Sequence, residues 1–193
     1  MPRSVFLVLS LWAIRVPQGR TAEIGSEIGN FTLQDISGTA HSLQHYSGKI
    51  VILVFWSFKC PVSLAYDDRM KTLQDKYGDQ KVVVLGVASA ANESPAEIRA
   101  NAANLNLEVP VLLDSEGDLA KELGASHTPS VFIIDSARAL RYKGALDNNK
   151  KEREGGRTAY AEDAIDAILA GRPVPVPETK PFGCSIKMRG IKE

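Results

Sequence analysis

The chain has no surplus of either charge. Its 23 Lys+Arg balance 23 Asp+Glu, and no basic run with interleaved aromatics appears, which excludes the electrostatic footprint of a nucleic-acid binder. No Gly-rich phosphate loop, no Ser-His-Asp order and no internal repeat stands out. No apolar run reaches the roughly 20 residues that a bilayer span needs, so no stable membrane span is expected. Cysteine is the most telling scarcity: Cys60 and Cys184 are the only two in 193 residues. With 44% hydrophobic and 24% charged residues, the composition is that of an ordinary globular protein. The length fits one domain with some excess at its ends.

Those ends differ from the middle. Arg3 followed by the short apolar run "VFLVLSLWAI" (Val5 to Ile14) reads as a secretory signal over residues 1–22, or as an uncleaved N-terminal anchor. The expected location is extracytoplasmic, such as a bacterial periplasm, where cysteines meet an oxidising medium. Residues 171–193 form a proline-rich tail, with Pro173, Pro175 and Pro177 ahead of Cys184. Between them, residues 23–170 carry the domain.

Within that domain, "IGNFTLQDISGTAHSL" reads as a hairpin around Ser37-Gly38. "KIVILVFW" (Lys49 to Trp56) and "KVVVLGVAS" (Lys81 to Ser89) are almost continuously apolar, as strands buried on both faces are. A helix is expected after Cys60, with Pro61 at its first position and Val62, Tyr66, Met70, Leu73 and Tyr77 facing inward up to Gly78. Asp67 and Asp68 then fall on its exposed side. Ser94 to Glu97 matches a capping box. A short strand (Val109 to Asp114), a short helix closed by Gly124, a strand pair (Ser130 to Asp135, Ala139 to Gly144), a charged loop (Asp147 to Gly156) and a last helix from Thr158 to Ala170 complete the order. Alternation through the middle implies right-handed crossovers and parallel strands. The expected fold is α/β, a central mixed sheet flanked by helices with an N-terminal β-hairpin extension.

Reactive cysteine chemistry belongs to the thiolate, and a helix N-terminus stabilises it through unpaired N–H groups and the macrodipole. The strand–Cys60–Pro61–helix junction puts a sulfur at that point, and Lys59 adds a neighbouring cation. An inert cysteine at a strand end is the competing reading. "SHTPSVFIID" adds a second signal. Pro129 stands at the first position of a strand, the place where a proline is tolerated and where a cis peptide serves as a structural device.

Together, "FWSFKCP" and, about 70 residues later, "TPSVFIID" resemble the thioredoxin fold. More narrowly they resemble its redoxin branch, the alkyl hydroperoxide reductase/thiol-specific antioxidant family with its exported thiol-disulfide oxidoreductases. The resemblance covers about Ile28 to Leu169. It implies an oxidoreductase with Cys60 as nucleophile and no cofactor. It places Trp56, His127, Thr128 and Pro129 along the substrate groove, and Lys59, Pro61 and Ser63 around the thiolate. Thiols and disulfides, of proteins or small molecules, and peroxides are the implied partners; the oligomeric state stays open. "TKPFGCSIK" is similar to the ending of a bacterial subgroup of these proteins.

Two departures bear on the chemistry. Ser63 stands where a Cys-x-x-Cys dithiol would have its second sulfur, and Val54 where thioredoxins carry a buried acid. The peroxiredoxin pattern is half met, with Ser57 three before Cys60 but Leu53 at the proline position. A thiol peroxidase with Cys60 as the peroxidatic cysteine is therefore one alternative. A non-catalytic module is another, binding a peptide or, through Cys60, Cys184 and His127, copper(I); no metal site is assigned. Cys184 has three readings: a permanent staple to Cys60, a resolving thiol for Cys60, or a free or interchain cysteine far from it. His41 and His45, beside the hairpin, are expected on the surface.

Overall fold

The computed structural model describes residues 21–105, 107–148 and 158–188. The proposed signal segment up to residue 20, most of the charged loop after Asn148 and the last five residues lie outside them.

The middle of the domain is a five-stranded sheet in the order β5-β4-β3-β7-β8. β3 (Ile50–Phe55), β4 (Val82–Ala88) and β5 (Val111–Leu113) run parallel; β7 (Ser130–Ile134) and β8 (Leu140–Gly144) are antiparallel additions. β3 is central and wholly buried. Its alternate side chains feed two separate cores. Ile50, Ile52, Val54 and Trp56 pack with α2 (Asp67–Tyr77), α3 (Pro95–Asn104) and α5 (Tyr160–Leu169) on one face. Val51, Leu53 and Phe55 pack with α4 (Asp118–Leu123) on the other. This explains why β3 reads as an unbroken apolar run.

The N-terminal hairpin is present as β1 (Thr32–Gln34) against β2 (Ala40–Ser42), with Gly38 in the left-handed region its turn requires. A 3-10 turn, Leu43–Tyr46, leads into β3. His45 is exposed, but His41 is half-buried: its Nε2 lies 2.9 Å from Asp35 Oδ2 and its Nδ1 2.5 Å from the Tyr46 hydroxyl. Burial pulls the Asp35 carboxyl up, yet hydrogen bonds from Ser37, His41 and Thr39 hold it near 2. The capping box at α3 has both of its reciprocal hydrogen bonds.

The helix after Cys60 is not continuous. α1 (Pro61–Leu64) ends at Ala65, and Tyr66, with ψ near 5°, starts α2. The break turns Asp67 inward, against the expectation of a solvated position. Its Oδ1 is buried without a partner, and burial, helped by the charge of Asp68, raises its pKa to about 6. A carboxyl raised in the folded state binds protons that the unfolded chain has already released, so its ionisation costs stability above that range and nothing once both states are protonated. Asp67→Asn should therefore stabilise the protein at pH 7 by about 1 kcal/mol after allowance for solvent screening. The gain should shrink as pH falls from about 6 and be gone near 4, where both states are protonated. Urea denaturation at both pH values measures it, and an equal gain at both would refute the burial origin.

The tail is not loose. Residues 171–188 form a strap across the domain. Lys143 on β8 exchanges backbone hydrogen bonds with Pro177 and Thr179. Gly144, at φ +145, lets Thr179 pack where any Cβ would collide with it. Beyond Phe182 the strap forms β9 (Cys184–Ser185), which pairs antiparallel with β6 (His127–Thr128).

Candidate active site

Cys60 is the N-cap residue of α1, with Pro61 at the first helical position. Its thiol is 1% exposed, and the S–H donates to the Thr128 carbonyl at 3.2 Å. The Thr128-Pro129 peptide is cis. The strand–helix junction and the Thr-Pro loop, distant in sequence, thus meet at one sulfur.

Burial opposes ionisation of Cys60. It is outweighed by donors aimed at the sulfur, namely the Cys184 thiol, the backbone N–H and hydroxyl of Ser63, and the Thr128 hydroxyl, so the Cys60 pKa lies below that of an ordinary cysteine. Ser63 is buried, and its hydroxyl has no hydrogen-bond partner. Ionisation of Cys60 gives that hydroxyl an acceptor, and a buried hydroxyl left unmatched is costly.

Cys184 is brought to the same place from the far end of the chain. In the β6–β9 ladder it stands opposite Thr128, and His127 stands opposite Ser185. Its thiol pKa is pushed up to about 11 by burial and by the hydrogen bond and charge of Cys60, against a pull from the Val62 N–H. Both sulfurs therefore sit at the amides of one short helical turn. Both are free thiols in this structure, and the reading that leaves Cys184 far from Cys60 does not hold for it.

Other expected residues are placed differently. Lys59 Nζ is held by the Asn92 carbonyl at 2.5 Å and by Glu97 at 3.0 Å, in the first turn of α3. Trp56 is buried in the first core, its indole N–H unpartnered, so it presents no open face to a groove. His127 Nδ1 pairs with the neighbouring Ser126 hydroxyl at 2.9 Å. Ser57, the half-met peroxiredoxin position, accepts the Lys59 amide hydrogen. The cis loop, Ser63 and the two cysteines form the cluster.

Sequence reasoning missed β9, although a signal was available. Phe182, Cys184, Ile186 and Met188 alternate with Gly183, Ser185 and Lys187, and the first set is turned inward while the second is exposed. That is the period of a half-buried strand. It also missed Glu93, buried beside the site with one carboxylate oxygen on the Lys59 amide at 3.1 Å.

The AhpC/TSA family model matches residues 24–143. The chain belongs to the AhpC/TSA family. The thioredoxin-like protein YneN of Bacillus subtilis is 30% identical over 130 residues, which is 67% of this chain and 76% of that protein. The thiol-disulfide oxidoreductase ResA of Bacillus thuringiensis is 31% identical over 113 residues, 58% of this chain and 64% of its own length. An uncharacterized conserved protein from Geobacillus kaustophilus has a solved structure that superposes with a TM-score of 0.79 at 26% identity, covering 88% of this chain and 94% of that one.

Proposed function

We propose that this thiol oxidoreductase catalyses thiol–disulfide exchange with Cys60 as its nucleophile. The observation that carries the reading is the Cys60 sulfur at a helix N-terminus, bonded to the Thr128 carbonyl beside the cis Thr128-Pro129 peptide. The likeness to a named thiol-disulfide oxidoreductase supports it. Exchange is favoured over peroxide reduction because the Ser57 hydroxyl is not among the groups that stabilise the Cys60 thiolate. Protein or small-molecule disulfides are the substrates, and residues 23–170 with their strap form the working unit. The signal-like pattern of residues 1–22 supports action outside the cytoplasm. Among the described residues no helix is long and apolar enough to cross a membrane.

The test is the pH dependence of Cys60 alkylation by iodoacetamide, mapped by peptide mass. A midpoint below the ~8.5 of a free cysteine is expected. Cys184→Ala should move it up, because one donor to the thiolate is removed. Cys60→Ala should abolish reduction of insulin disulfides while the protein remains folded. A midpoint at or above the free value, or full activity in Cys60→Ala, would overturn the reading.

A further inference from the structure

We propose that Cys184 is the resolving thiol of this enzyme, so that the redox pair interrupted at Ser63 is completed across the β6–β9 ladder. The proposal rests on Cys60 being the nucleophile. Thr128 is the shared neighbour that makes it geometric. Its carbonyl accepts the Cys60 S–H, and its ladder partner is Cys184. The two sulfurs face adjacent amides of α1, those of Ser63 and Val62.

The strap is built to hold that register. Upstream, Phe182 meets Tyr66 edge-on with ring centroids 6.0 Å apart. Downstream, the Ile186 N–H donates to the Ser126 carbonyl at 2.9 Å, and the Ile186 side chain is buried in the second core. The Ala91 N–H donates to the Lys187 carbonyl at 2.7 Å. A strand fixed on both sides of a cysteine delivers it at low entropic cost.

The chemistry closes without further groups on the enzyme. The Cys60 thiolate attacks one sulfur of a substrate disulfide, forming a mixed disulfide and expelling the first substrate thiolate. Cys184 gives its proton to solvent and attacks Cys60 Sγ. The Cys60–Cys184 bond forms, the mixed disulfide breaks, and the second substrate thiolate leaves. Two electrons have passed from the cysteine pair to the substrate, and an external dithiol restores the pair by the reverse exchange. Once Cys60 is bonded to substrate, the thiolate charge that held the proton on Cys184 is gone, so Cys184 becomes easier to ionise at the moment it must attack.

One equivalent of the aromatic disulfide 5,5′-dithiobis(2-nitrobenzoate), added to the fully reduced full-length protein, tests this. The wild type should release two nitrothiobenzoates per reagent and retain no adduct, and the second release should not depend on protein concentration. Cys184→Ser and Cys184→Ala should release one and keep an adduct on Cys60 whose lifetime is at least about tenfold longer. A persistent Cys60 adduct in the wild type, or a second release that is bimolecular, would overturn the resolving role alone. An unmodified Cys60 in the Cys184 variants would instead overturn the nucleophile on which the proposal rests.

Discussion

Gly183→Ala should lift the strap from the active site while both cysteines remain in the chain. Gly183 has φ +133, outside the range that side-chain-bearing residues adopt readily, and a Cβ there would collide with the Thr128 carbonyl oxygen and crowd Pro129 Cδ at 3.3 Å. That same oxygen accepts the Cys60 S–H. An alanine therefore forces one of two movements. Either β9 separates from β6, or Thr128 withdraws from Cys60. Backbone strain of this kind costs about 1–3 kcal/mol, and charged against the docked strap it lowers the docked population about 5- to 150-fold. The variant should behave like Cys184→Ser in the aromatic-disulfide experiment, with a long-lived adduct on Cys60, yet both of its cysteines should alkylate readily. Its fold should survive, because the sheet and its helices supply most of both cores and the strap adds only Ile186 to the buried part of the second. Disulfide closure at the wild-type rate in Gly183→Ala would mean that the strap does not set the approach of Cys184.

The parts of this molecule that could be read in advance are those decided within a few residues. β3 announces itself by an apolar run with no polar position. The hairpin does so by a glycine in a turn, α3 by Ser94 and Glu97 capping each other, and α1 by Pro61 at its first position. Each is a local steric or hydrogen-bonding requirement, so the letters suffice. Asp67 was legible in kind but not in orientation. Its side depends on the turn lost at Ala65 and Tyr66, and nothing short of the tertiary contacts of Tyr66 shows that turn. Lys59 adjoins Cys60 in sequence but is drawn to Glu97, whose place in space is set by the β4–α3 connection. Cys184 was the hardest case. A flexible tail of that length can reach many places, and only the pairing of β9 with β6, permitted by Gly183, selects one.

Asp147→Ala should produce the largest loss of stability. Asp147 is 0% exposed. It accepts the Tyr66 hydroxyl at 2.8 Å and Arg69 Nη1 at 3.1 Å on Oδ1, with a further ion-pair contact from Nη1 to Oδ2 at 3.0 Å. The Arg69 guanidinium also lies over the Tyr66 ring, 3.9 Å from its centroid. Truncation takes this carboxylate away from the largely buried Arg69 guanidinium and from the buried Tyr66 hydroxyl. Breaking a buried pair by removing one partner costs about 3–5 kcal/mol, because the remaining charge stays desolvated. Urea denaturation should show that loss for Asp147→Ala. Asp147→Asn should show less, since the amide oxygen still accepts the Tyr66 hydroxyl. Removing the Arg69 charge as well, in Asp147→Ala with Arg69→Met, should recover part of the loss, a coupling that a double-mutant cycle isolates. Additive losses, or a loss in Asp147→Ala of under about 1 kcal/mol, would refute the ion pair as the cause. The consequence reaches the redox pair. Tyr66 sits at the break between α1 and α2 and carries the ring against which Phe182 packs. An Asp147→Ala protein that remains folded should therefore also close the Cys60–Cys184 bond more slowly. That slowing separates a role in positioning the strap from one in stability alone.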